Sequence, residues 1–246
     1  MNKIAIITVF NKPDLFNQMQ RTVSDTAGDI SYQIIGLDNV QNHEFSSAAS
    51  AYNYAIKNCC DAEVYIFCHQ DILFMHTSIK DIYERCMGDR HTLYGAAGVK
   101  NVGHGNGDKN RIITSMGAHQ DGDDLTSLQK GAVEDVFSLD ECLICGHRSI
   151  FEEVQFDEDV CEGWHLYATE LCLQCHVKGI NVKVFDADIV HLSGGNPDKS
   201  FYETEKKIVK KYRKTFRLIS YTCGWAYTDP FRYYALSLYR KFRYGI

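Results

Sequence analysis

Residues 51–74 read AYNYAIKNCCDAEVYIFCHQDILF, and their reading decides the fold. The opening part belongs to a helix over 46–60. Residues 63–68 (EVYIFC) are a short apolar, aromatic run of strand length, and His69-Gln70-Asp71 follows with no spacer. Upstream, residues 3–10 (KIAIITVF) form a continuous β-branched run, as a strand buried on both faces requires. Asn11, Lys12 and Pro13 end it; Asp14 caps a helix to about residue 27 with Leu15, Met19 and Val23 on one face. Residues 32–37 are a second strand, ending at Asp38-Asn39.

Downstream, 77–87 is helical and 94–99 a strand. Further strands are expected at 132–137, 141–145, 181–185 and 188–191, and further helices at 148–154, 167–178 and 199–216, with Gly179 closing the middle one. The alternation of strand and helix predicts one α/β domain over 1–216, with a mostly parallel central sheet and helices on both faces. Ligands of such sheets bind outside the carboxyl ends of the strands, and Asn11, Asp38 and the 69–71 triplet all fall there. Residues 101–130 are rich in Gly, Asp, Asn and His and read as a long loop of the kind that covers active sites.

A chain of 246 residues buries a large core without disulfide or metal staples. The N-terminus lacks the length and cleavage site of a signal segment, and no stretch has the roughly 20 apolar residues of a membrane span. A cytoplasmic location with reduced cysteines is therefore expected. The net charge of −6 is uneven. From Lys206 to Ile246 eleven Lys/Arg face one acid, and the remainder carries fifteen against thirty-one. The acidic body excludes a nucleic-acid surface. The basic, aromatic tail 217–246 points to peripheral contact with an anionic membrane, or else to a helix packed on the body or another subunit.

Two CxxC pairs, Cys142/Cys145 and Cys172/Cys175, have zinc-like spacing, but the first lies on a strand where its members face opposite sides. Cys172 to His176 spells a haem-attachment motif inside a helix, a chemistry that belongs outside the cytosol. Gly103 to Gly107 opens no helix after the first strand and is no dinucleotide fingerprint.

Four segments in order, IAIITVFN, residues 51–74, FDEDVCEGWHLYATELCLQCHVKGI and IVHLSGG, resemble the GT-A glycosyltransferases. The likeness covers about residues 3–195 and is to the family-2-like group and its StrF-type subgroup. It implies the GT-A fold and a nucleotide-sugar-dependent transferase acting, with inversion, on a saccharide or lipid-linked acceptor in polysaccharide biosynthesis. It implies Mn²⁺ or Mg²⁺ as cofactor. Asp71 takes the second carboxylate of the family's Asp-x-Asp, His69 stands in for the first, and His191 closes the metal site, an N/O donor set suited to such a cation. Asn11, Asp38, Asn39, Asn53, His69 and Trp164 are implied on the donor side, with Gly194 and Gly195 allowing close approach of phosphates. Glu170 is the implied catalytic base and His165 the alternative. Two other readings stay open: a catalytically silent nucleotide- or sugar-binding module, and a nucleotidyltransferase, which the first loop FNKPD disfavours.

Overall fold

The computed structural model describes residues 2–41, 44–76, 78–102, 112–114, 125–194 and 198–244. The chain opens with β1 (Asn2–Phe10), α1 (Pro13–Thr26), β2 (Tyr32–Asp38), α2 (Ala48–Asn58), β3 (Ala62–Cys68), β4 (Ile72–Phe74) and α3 (Ser78–Gly88). The middle holds β5 (Thr92–Gly95), β6 (Ala97–Val99), β7 (Ile112–Thr114), β8 (Leu125–Ser127), β9 (Val133–Asp135), β10 (Ser138–Leu139), β11 (Leu143–His147) and α4 (Arg148–Glu153). It closes with α5 (Tyr167–Lys178), β12 (Asn181–Phe185), β13 (Ile189–His191), α6 (Lys199–Tyr212), β14 (Leu218–Tyr221), β15 (Gly224–Tyr227) and α7 (Pro230–Tyr244).

The central sheet runs β2-β1-β3-β11-β5-β12-β9. β1 pairs parallel with both β2 and β3, and β12 parallel with β5. β11 enters antiparallel between β3 and β5, and β9 closes the edge antiparallel to β12. The inserted β11 departs from the expected run of parallel neighbours. Strand alternation sorts the core: Ile4, Ile6, Val64 and Ile66 pack with Phe16, Met19 and Val23 of α1 and Ile79 and Ile82 of α3. Ala5, Ile7, Tyr65 and Phe67 pack on the other face with α2, α4 and α5. Each such Ile contributes about 1.5–3 kcal/mol through burial.

Cys142 precedes β11 and shares one cluster with Cys145, against the expectation of opposite faces, while Cys172 and Cys175 lie in the other, so the sheet separates the two CxxC pairs. Residues 103–111 and 115–124 of the expected lid lie outside the described residues, as does the Gly103–Gly107 motif. Within that stretch 112–114 and 125–127 are strands rather than loop. The expected strand 94–99 is broken at Ala96 into β5 and β6, which enter different sheets.

Residues 218–244 form a hairpin and a helix docked on the body. Ser138 Oγ donates to the Ser220 carbonyl at 2.6 Å, and Thr222 Oγ1 donates to Asp140 Oδ2 at 2.7 Å. Ile219, Tyr221 and Ala226 share a third cluster with Leu166, Leu173 and four α6 side chains. No described helix is long and apolar enough to cross a membrane.

Candidate active site

The carboxyl end of β3 turns sharply, with Ile72 N donating to the His69 carbonyl and His69 N to the Cys142 carbonyl. The chain leaves as β4, which pairs antiparallel with β13 in a register that sets His191 opposite Ile72. Leu192 N donates to the Asp71 carbonyl at 3.1 Å and locks this edge. Two segments 120 residues apart are thereby stitched together, because Ile72, Phe74 and Ile189 bury into one cluster.

The result is a His-Asp-His cluster whose three ligand atoms lie within 4.8 Å of one another. His191 Nε2 is 3.4 Å from Asp71 Oδ1 and 3.4 Å from His69 Nδ1. Ser193 Oγ donates to Asp71 Oδ2. Burial pushes the Asp71 carboxyl up, but the hydrogen bonds from His191 and Ser193 outweigh it and bring it to about 2. Burial, followed by the neighbouring His191, holds the His69 imidazole below its ordinary value. The Tyr167 hydroxyl lies 3.2 Å from both the Glu141 carbonyl and His69 Nε2; when it donates to the carbonyl it accepts from Nε2. His69 then keeps its Nδ1 lone pair, on the side of His191. A carboxylate and two imidazoles, one held by an outer hydrogen bond, are donors that fit a divalent cation.

The cluster borders a cavity of about 760 Å³ lined by Val9, Asn11, Asn39, Tyr52, Trp164 and Ser193 among others. Gln70 ties its rim together: Oε1 accepts from Asn11 N at 3.0 Å and Lys12 N at 2.8 Å, and Nε2 donates to Asn11 Oδ1 at 2.8 Å. Asn39 is buried and clamps the Phe45 backbone through both ends of its amide. It also borders a second hollow of about 570 Å³ that contains Asp38. Asp38 is exposed and accepts from Val40 N at 2.9 Å. Trp164 lines the main cavity and is 39% exposed. Gly194 is exposed beside Ser193, and Gly195 lies outside the described residues.

Two expected site residues face elsewhere. Asn53 donates to the Phe156 carbonyl and to Glu158 Oε1, both at 2.8 Å, holding the segment before α5 rather than lining the cavity. Glu170 is fully buried in the first turn of α5. Its Oε1 accepts from Lys211 Nζ at 2.5 Å and Tyr212 Oη at 2.7 Å, and its Oε2 from Gln174 Nε2 at 2.6 Å. It does not line the cavity, so its geometry is that of a helix-to-helix clamp rather than of a base. His165 follows the cavity-lining Trp164 but does not itself line the cavity; its Nε2 is 3.5 Å from Asp198 Oδ1, the residue that also caps α6. Sequence reasoning missed Gln70, Tyr167 and Ser193. Each lay inside a quoted motif, Gln70 in the polar triplet, Tyr167 in GWHLYATE and Ser193 in IVHLSGG, without a role of its own.

The fold is that of the GT-A glycosyltransferases. The chain belongs to a glycosyltransferase-like family, whose profile matches residues 5–214. The same fold is seen in GalNAc-T7 with UDP, GalNAc and Mn²⁺ (TM-score 0.56, 10% identity, 87% of this chain and 48% of that one). It is seen too in S. aureus TarS 1-349 (TM-score 0.55, 12% identity, 86% and 66%). The catalytic domain of Drosophila β1,4-galactosyltransferase 7 in complex with xylobiose is a third likeness (TM-score 0.54, 12% identity, 84% and 79%). The chain thus spans about half of the GalNAc-T7 structure and about two thirds of the TarS one. A protein of Fuscovulum blasticum described as ATP synthase subunits region ORF 6 is 24% identical over 187 residues, 75% of this chain and 72% of that protein.

Proposed function

We propose that the chain transfers a sugar from a nucleotide diphosphate donor to a saccharide or lipid-linked acceptor, with inversion and with Mn²⁺ or Mg²⁺ at the His69–Asp71–His191 cluster. The observation that carries this is the convergence of those three residues on a roomy cavity at the carboxyl end of β3. GalNAc-T7, of the same fold, was crystallised with UDP, GalNAc and Mn²⁺, which supports the donor class and the metal.

When bound, the cation supplies a Lewis acid to the diphosphate oxygens. The chain's own residues do the rest. Asn39, which borders both the cavity and the hollow beside it, and Asp38, in that hollow, take the base and ribose. Gln70 holds Asn11 and the Lys12 amide at the rim, where Lys12 adds a positive charge toward the leaving diphosphate. Trp164 offers an exposed aromatic face to the sugars. His165, oriented by Asp198, accepts the acceptor hydroxyl proton as the hydroxyl oxygen bonds to the anomeric carbon and the diphosphate leaves with the bonding pair. Glu170 plays no part in this step. The cytoplasmic location remains part of this proposal, supported by ten cysteines that form no disulfide.

Nucleotide-sugar hydrolysis is measured with Mn²⁺ across UDP-, GDP-, CMP- and dTDP-sugars, for the wild type and for Asp71→Ala. Turnover of one donor, lost in the variant, is expected. Tight nucleotide binding with no turnover of any donor, acceptor present or absent, would overturn the transfer reading in favour of a silent binding module.

A further inference from the structure

Helix α7 turns its apolar side outward. Phe231, Tyr234, Leu238 and Phe242 recur at helical spacing, and Phe231 is 80% and Phe242 94% exposed. The register is fixed by the opposite side. Tyr233 and Leu236 pack on the third apolar cluster. Arg240 Nη1 donates to Glu205 Oε1 at 2.6 Å, and its Nη2 donates to the Trp225 carbonyl at 2.9 Å. Glu205 is buried in α6 and also accepts from Tyr221 Oη and, at 3.2 Å, Tyr233 Oη. A buried, hydrogen-bonded ion pair holds the helix in one rotation, so the aromatic stripe is a built surface rather than a fraying end.

The net charge beside the stripe is positive. A groove of about 630 Å³ between α6 and α7 is lined by Lys199, Lys206, Lys210, Arg213 and Arg240, together with Glu203 and Glu205. Glu203 lies 3.5 Å from Lys199, and Glu205 is taken by Arg240. No described carboxylate pairs with Lys206, Lys210 or Arg213. Arg232 and Lys241 are exposed on α7 itself. Apolar aromatic side chains flanked by lysine and arginine, on a helix lying flat on its domain, are the chemistry of an interfacial segment. A second copy of this chain would bring the same positive charge against itself, whereas an anionic bilayer complements it.

We propose that α7 is an in-plane membrane anchor, with Phe231, Tyr234, Leu238 and Phe242 entering the acyl boundary and the α6–α7 groove receiving anionic lipid phosphates. The groove begins at Lys199, the residue after Asp198, which pairs with His165, the neighbour of the cavity-lining Trp164.

The test is co-sedimentation of the full chain with phosphatidylcholine vesicles, with and without about a third of phosphatidylglycerol. The wild type is expected to bind the anionic vesicles and to bind the neutral ones at least roughly tenfold more weakly, with the anionic binding falling as salt rises. Phe231→Asp/Phe242→Asp, two exposed changes, should weaken anionic binding by at least about tenfold. Lys206→Glu/Lys210→Glu should abolish the preference for anionic vesicles. Equal binding to both vesicles, or none to either, would overturn the anchor. So would a concentration-dependent dimer that the aspartate pair dissolves, seen with no vesicle binding. No donor is present, so failure here leaves the transfer reading intact, and loss of hydrolysis in Asp71→Ala leaves vesicle binding unchanged.

Discussion

The Tyr167 hydroxyl decides which nitrogen His69 offers. With its proton on the Glu141 carbonyl it accepts from His69 Nε2, and that tautomer leaves Nδ1 for a cation. Tyr167→Phe keeps the ring contacts with Tyr52 and Phe156 but frees His69 to change tautomer. It should weaken Mn²⁺ binding by about tenfold, the usual cost of losing an outer hydrogen bond to a ligand, read by titration calorimetry, with a stability loss of about 1 kcal/mol. Glu170 and His165 separate in the opposite sense. His165→Ala should lower kcat by roughly 100-fold or more, as loss of a proton acceptor does. Glu170→Gln should leave kcat within about twofold while lowering the Tm, because the clamp it makes stands apart from the cavity. The reverse pattern in a hydrolysis assay would restore Glu170 as the base.

The α5–α6 clamp also sets a pH dependence. Burial raises the Asp157 carboxyl, but its bond to Lys211 and the backbone N–H groups of Val160 and Asp159 bring it below its ordinary value. Burial lowers the Lys211 ammonium, but the bonds to Asp157 and Glu170 carry it above its ordinary value. A depressed carboxyl stabilises above its unfolded value and loses that as the pH falls through its folded one. A raised ammonium stabilises below its unfolded value and loses that as the pH rises through its folded one. The Tm difference between the wild type and Lys211→Met should be flat through neutral pH and shrink at both extremes. At neutral pH the variant should lose about 2 kcal/mol, since it strands a buried carboxylate with only Tyr212 and Gln174 as donors. A difference that widens in acid contradicts the clamp. That this helix presents Glu170 away from the site was not legible in the sequence. Almost every residue from Tyr167 to Cys175 is buried, so no polar face marks which side meets the cavity. Asn53 misled for a related reason: its helix was legible, but its partners, Phe156 and Glu158, are a hundred residues away.

At the scale of the molecule, the half of the sheet built from β1, β2 and β3 was plain from the runs 3–10, 32–37 and 63–68, each closed by polar residues that mark the carboxyl rim. The direction of β11 was not. Leu143 to Cys145 is buried on both faces, and an apolar run reads the same along either direction. The β4–β13 pairing that brings His191 to Asp71 is three residues long, too short for periodicity to announce; the family's ordered segments suggested it, and the fold supplies it. The measurement that bears most directly on the account is Mn²⁺ binding by electron paramagnetic resonance, with and without UDP, for the wild type, Asp71→Ala and His191→Ala. One Mn²⁺ per chain, held more tightly with UDP and lost in both variants, is the expected result. Wild-type chain that holds no Mn²⁺ even with UDP, or holds it equally after either substitution, contradicts the claim that His69, Asp71 and His191 form the site of transfer.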